Sequence, residues 1–123
     1  MITGDVSADR EAIIRIIVRT GQGEELEVEL IVDTGYTGWV SLPSPLISQL
    51  GLPWRRRGRG LLADGSETIF DIYEAAIIWE SQLRRVWVDE INAAPLAGMA
   101  LLDGHELTIQ VWTGGNVTIA PRA

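Results

Sequence analysis

The sequence predicts a mostly β fold whose sheet closes or folds over on itself, with one or two short helices. Three observations carry that expectation. Apolar residues recur with a period of two through most of the chain. Turn signals separate these runs at short intervals. Only two stretches carry helix signals. The 123 residues suit one domain, spanning 1–123, with a core large enough to need no covalent staples.

The elements follow in order. "EAIIRIIVRT" (11–20) and "EELEVELIVD" (24–33) are strand-like, and "GQG" between them predicts a hairpin. Leu26, Val28, Leu30 and Val32 share one face of the second strand; Glu25, Glu27 and Glu29 share the other and read as a solvated stripe. Ile31 breaks the alternation, so the strand is expected to become buried on both faces just before Asp33. "LPSPLISQLGLP" (42–53) predicts a helix capped by Ser44, with Pro45 in its first turn and Gly51 at its end. Asp64-Gly65 marks a hairpin tip inside "WRRRGRGLLADGSETIFDIYEAAIIWE" (54–80). A strand is expected over 83–91 and a short helix after Gly98. Two final strands, 105–112 and 116–120, are joined by a "TGG" turn. The tryptophans at 39, 54, 79, 87 and 112 are spread out and read as core and rim packing.

Composition removes several chemistries. There is no cysteine, so disulfides, thiol nucleophiles and thiolate metal sites are excluded. His105 is the single histidine, which leaves a zinc site without its usual ligands, and no metal is expected. All ten basic residues are arginine, which removes Schiff-base chemistry and the lysine of a phosphate loop. No cofactor is expected. The net charge of -7 disfavours nucleic-acid or anionic-membrane binding by the surface as a whole. No apolar run reaches the roughly 20 residues of a membrane helix. "MITGDVSADREA" lacks the basic flank and apolar core of a secretory signal, and a cytoplasmic location is expected.

Candidate motifs differ in weight. A Ser-His-Asp triad would need His105, with Asp103 nearby, yet no Gly-x-Ser-x-Gly elbow occurs; His105 reads as a surface or turn residue. "GRGLLADG" (58–65) opens no helix, unlike a dinucleotide loop. "WRRRGRG" (54–60) packs four arginines into five residues. In a strand Arg55 and Arg57 point away from Arg56, which splits the patch into a solvated arm or groove rim. Asp33 stands apart. A carboxylate at the end of a buried apolar strand is costly unless it is hydrogen-bonded or functional. Gly35 beside it lets backbone or a ligand come close.

Taken together, "LIVDTGYTGWVSLP", "LLADGSE" and "PLAGMALLDGHELTIQVWTGGNVTI" resemble the single-domain, retropepsin-like aspartic proteases of bacteria, relatives of the retroviral proteases. The resemblance runs from the first hairpin to the last strand. It implies an acid-protease fold, a retropepsin-like closed β-barrel with half an active site per chain. It also implies a homodimer that hydrolyses an extended peptide or protein substrate with two Asp33 carboxylates. Thr34 and Gly35 would brace and clear the catalytic loop, and Gly98 would pack behind it. Asp64, Gly65 and Ser66 would form the tip of a flap over the substrate. Two departures from the viral pattern stand out: Tyr36, Thr37 and Gly38 replace the Ala and Asp that follow the motif, and Met99 replaces an Arg. The alternative is a catalytically inactive dimer of the same fold, serving in protein interaction or regulation.

Overall fold

The computed structural model describes residues 1–62 and 64–122. Ten strands and two helices run in the order β1 (Ile2–Val6), β2 (Ala12–Arg19), β3 (Glu25–Val32), β4 (Val40–Leu42), α1 (Ser44–Leu50), β5 (Trp54–Leu61), β6 (Glu67–Trp79), β7 (Gln82–Glu90), β8 (Leu96–Ala97), α2 (Met99–Leu102), β9 (His105–Ile109) and β10 (Asn116–Pro121).

The β2–β3 hairpin shows why alternation was informative. Its register sets Ile14 opposite Leu30 and Ile16 opposite Val28, all four buried. The other face pairs Arg15 with Glu29, and Arg15 also bridges to Asp5 at 2.9 Å. Burying one such aliphatic side chain contributes about 2 kcal/mol, so this pairing orients the sheet far more strongly than the exposed ions do.

The strands form one sheet in the order β5-β6-β7-β4-β8-β3-β2-β1-β10-β9, and a further β2–β6 pairing brings it back on itself. That seam is short, running from Ile17↔Ile78 to Arg19↔Ala76. The predicted mostly β, folded-over sheet is what the structure has. The ring closes through this seam around a core that includes Leu30, Leu42, Leu50, Ile77, Val88 and Leu101.

Several expectations need correction. Ser44 does not cap α1: Pro43 holds that position without a side-chain cap bond, and Ser44 is the first helical residue. Pro45 does sit in the first turn, and Gly51 ends the helix at φ 63. The strand expected over 105–112 stops at Ile109. Beyond it, Trp112 N–H turns back to the Gln110 carbonyl and leaves the ladder. Strands β1, β4 and β8 were not foreseen. The last two have three and two residues, too short to show a period. A register shift between Trp54 and Arg56 disturbs the alternation at Arg55, while Arg56 and Arg57 stay in regular register opposite Ile72 and Asp71 and so point to opposite faces as expected. Arg56 lies over the Trp87 ring at 5.3 Å. Of the tryptophans, Trp79 is in the core and Trp39 packs against it, while Trp54, Trp87 and Trp112 are exposed. Arg84 lies over the rings of both Trp39 and Trp79 and donates to the Leu101 carbonyl, tying α2 to the sheet.

His105 is held rather than free. Trp79 Nε1–H donates to its Nε2 at 3.1 Å, and its Nδ1 lies 3.0 Å from the Asp103 carbonyl. An indole can only donate, so Nε2 is the acceptor and the proton sits on Nδ1. Both ring nitrogens are thus engaged by structural partners. No helix among the described residues is long and apolar enough to cross a membrane.

Candidate active site

The loop after β3 is built by its neighbours. β8 is inserted between β3 and β4, parallel to the first and antiparallel to the second. These are the two strands that flank residues 33–39. Asp33 N–H donates to the Ala97 carbonyl at 2.9 Å, and Gly98 N–H donates to Trp39. Met99 N–H then caps the Tyr36 carbonyl at 2.8 Å, and Ala100 N–H caps that of Gly38. The loop is therefore pinned along its length by residues 97–100.

Within the loop, Gly35 N–H donates to Asp33 Oδ1 at 2.8 Å, and Tyr36 N–H donates to the Asp33 carbonyl. The Asp33 carboxylate is thereby oriented by its own turn. In the single chain Asp33 is half-buried, Thr34 and Gly35 are exposed, and Ile31 and Val32 are only partly covered. The expected burial on both faces of the strand end is not met within one chain. β3 reaches the molecular surface there, with β8 covering just its final pair.

Gly98 lies directly behind the loop. A Cβ on it would come 2.2 Å from the Gly38 carbonyl oxygen and 2.6 Å from Tyr36 Cδ2. Asp64, Gly65 and Ser66 form the turn between β5 and β6. Asp64 Oδ1 accepts both the Ser66 N–H and its hydroxyl, which hold this exposed carboxyl below its ordinary value. Leu61, Leu62 and Ile69 are exposed near this turn. Between hairpin and loop runs an open cleft of about 750 Å³, walled by residues 35–38, 59–62, 68–71 and 89–92. The structure thus groups Asp33, Thr34, Gly35 and Gly98 at one locus and sets Asp64, Gly65 and Ser66 on the hairpin across the cleft.

One pair escaped the sequence. Tyr36 Oη donates to Asp89 Oδ2 at 2.6 Å, across 53 positions of the chain. No local pattern announces such a contact. Burial pushes the Asp89 carboxyl up, and this outweighs the opposing pull of the Tyr36 hydrogen bond and the Arg56 charge. Burial and the carboxylate both hold the Tyr36 phenol protonated, well above its ordinary value. A raised carboxyl contributes stability that is complete below its unfolded value of about 4 and is lost as pH rises through the folded one. Asp89→Asn is therefore expected to lose less stability than the parent on going from about pH 4 to pH 7, read by denaturant unfolding at each pH. Tyr36→Phe leaves the half-buried carboxylate without its donor. It is expected to cost about 1 kcal/mol at pH 7 and less at pH 4.

No family model and no curated protein matches the sequence. Among solved structures, a retropepsin-like aspartic protease from Rickettsia conorii aligns with 99% of this chain and 91% of its own, at a TM-score of 0.60 and 15% identity. The chain has a retropepsin-like fold. At that identity the likeness carries the fold alone. In this retropepsin-like frame the Asp-Thr-Gly loop is presented at the surface, pinned from behind by β8 and α2 and faced by a hairpin across an open cleft.

Proposed function

We propose that the chain is one 1–123 domain that works as a homodimeric aspartic endopeptidase on an extended peptide or protein segment. The observation that carries this reading is the Asp33 carboxylate, oriented by Gly35 N–H on an exposed loop beside a cleft of peptide-binding size.

Peptide hydrolysis by carboxylates alone needs two of them around one water. An ionised Asp33 takes the water's proton as its oxygen attacks the carbonyl carbon. A protonated Asp33 donates to the carbonyl oxygen. As the tetrahedral species collapses, the C–N bond breaks and a proton passes to the departing amine. Like charges a few ångströms apart cannot both ionise, so the pair titrates as a unit. The handling of one proton by two aspartates is the general rule for this enzyme class, and it makes one Asp-Thr-Gly per chain half a site.

A two-fold dimer supplies the other half. Exposure of Thr34, Gly35 and Met99 around the loop supports a second chain seated there. Thr34 would brace the two loops across the axis. The hairpin around Asp64, Gly65 and Ser66 would close over the bound peptide, with Leu61, Leu62 and Ile69 gaining cover as it does. Sedimentation is expected to show a two-chain species; a strict monomer at high concentration sinks this mechanism. Activity is tested on a degenerate peptide library between about pH 4 and 7, with Asp33→Asn as the control. Equal cleavage by both proteins removes Asp33 from the chemistry.

A further inference from the structure

The cleft does not end at the catalytic loop. Its wall terminates at Asn92, and a second, shallower depression of about 600 Å³ begins at the same residue, continuing over Pro43, Ser44, Pro45 and Ala93. Asn92 is therefore shared by both depressions.

The side-chain amide of Asn92 has a fixed orientation. Its oxygen accepts the Ser44 backbone N–H and the Ser44 hydroxyl, both at 2.9 Å. A backbone N–H can only donate, so the oxygen must face Ser44 and the NH₂ must face the other way. No hydrogen bond among the described residues engages that NH₂. The backbone around it is also held: Ile91 N–H donates to the Leu42 carbonyl, and Ala93 N–H to that of Ile91. The result is an exposed, pre-oriented pair of donors at the junction of two depressions. The second depression offers apolar ring and methyl surface from Pro43, Pro45 and Ala93.

We infer that Asn92 marks the continuation of the substrate groove, donating its side-chain N–H to a backbone carbonyl of an extended peptide whose outer residue places an apolar side chain against Pro43, Pro45 and Ala93. An extended chain fits because it exposes a carbonyl at every residue and advances about 3.3 Å each time, so a few residues carry it from cleft to outer depression. The inference rests on the endopeptidase reading for its substrate class. It adds an outer subsite and a positioning residue, and it predicts a preference for longer peptides with an apolar outer residue.

The test uses Asn92→Asp. Aspartate keeps an oxygen for Ser44 and replaces the outward donors with an acceptor. The folded protein is expected to keep its melting temperature within about 2 °C. The probe is a degenerate peptide library in two lengths, about ten and about five residues. With the parent protein, kcat/KM is expected to be about tenfold higher for the long set, enriched for an apolar outer residue. With Asn92→Asp that ratio falls towards one. The same two libraries are offered to Asp33→Asn for binding, with and without Asn92→Asp. Cleavage without length dependence, or length dependence that survives Asn92→Asp, overturns the outer subsite and leaves the endopeptidase reading standing. Length-dependent binding that needs Asn92, with no cleavage by the parent, supports the groove and overturns the endopeptidase reading. Neither cleavage nor binding overturns both.

Discussion

Asp33→Asn is expected to lower peptide cleavage by at least about 10³-fold while leaving the fold intact. The substitution keeps the shape of the side chain and an oxygen to accept the Gly35 N–H, which holds the loop turn at 2.8 Å. Under the proposed endopeptidase mechanism, it removes the ionisable group that would take the water's proton. In a two-fold dimer the change falls on both halves at once, so no carboxylate remains to act as base. The expected signature is lost turnover with an unchanged unfolding transition and retained peptide binding. A variant that still cleaves at the parental rate places the chemistry elsewhere.

Gly98→Ala is expected to destabilise the protein by about 4 kcal/mol or more, or to prevent folding outright. The added methyl would sit 2.2 Å from the Gly38 carbonyl oxygen, and that oxygen is already held by Ala100 N–H. Backbone cannot swing aside as a flexible side chain can. Tyr36 is equally confined, with its ring 2.6 Å from the new methyl and its hydroxyl committed to Asp89. Against a typical total of about 5–15 kcal/mol, such a loss corresponds to a fall of about 15 °C in melting temperature. An alanine variant that melts like the parent shows that the loop and α2 separate easily, and that Gly98 is not the close contact described.

The two variants probe different kinds of information. Asp33 stood out in the sequence because an apolar strand ended in a carboxylate followed by Gly35. That is a local pattern, and the structure sets it on an exposed loop whose turn orients the acid. Gly98 was legible only through the resemblance, since nothing in "PLAGMALL" says which backbone will press on it. The pressing residue, Gly38, lies 60 positions earlier and reaches it because β8 slots between β3 and β4. The Tyr36–Asp89 and Ser44–Asn92 contacts have the same origin. Each joins residues about 50 positions apart whose types alone predict nothing about one another.

The sequence by itself determined the mostly β class, the β2–β3 hairpin, the hairpin tip at Asp64-Gly65 and the exposed glutamate stripe on β3. These rest on period and turn chemistry, which neighbouring residues impose on each other over a few ångströms. Only the tertiary structure decided where the helix cap falls, how two- and three-residue strands join the sheet, and which side chains meet around the loop. Those outcomes depend on contacts between distant segments, and a two-residue strand such as β8 owes its conformation to the partners on either side of it. Asp33 being only half-covered in one chain belongs to that second class, because what covers the end of β3 is decided by what packs there and not by the residues of β3.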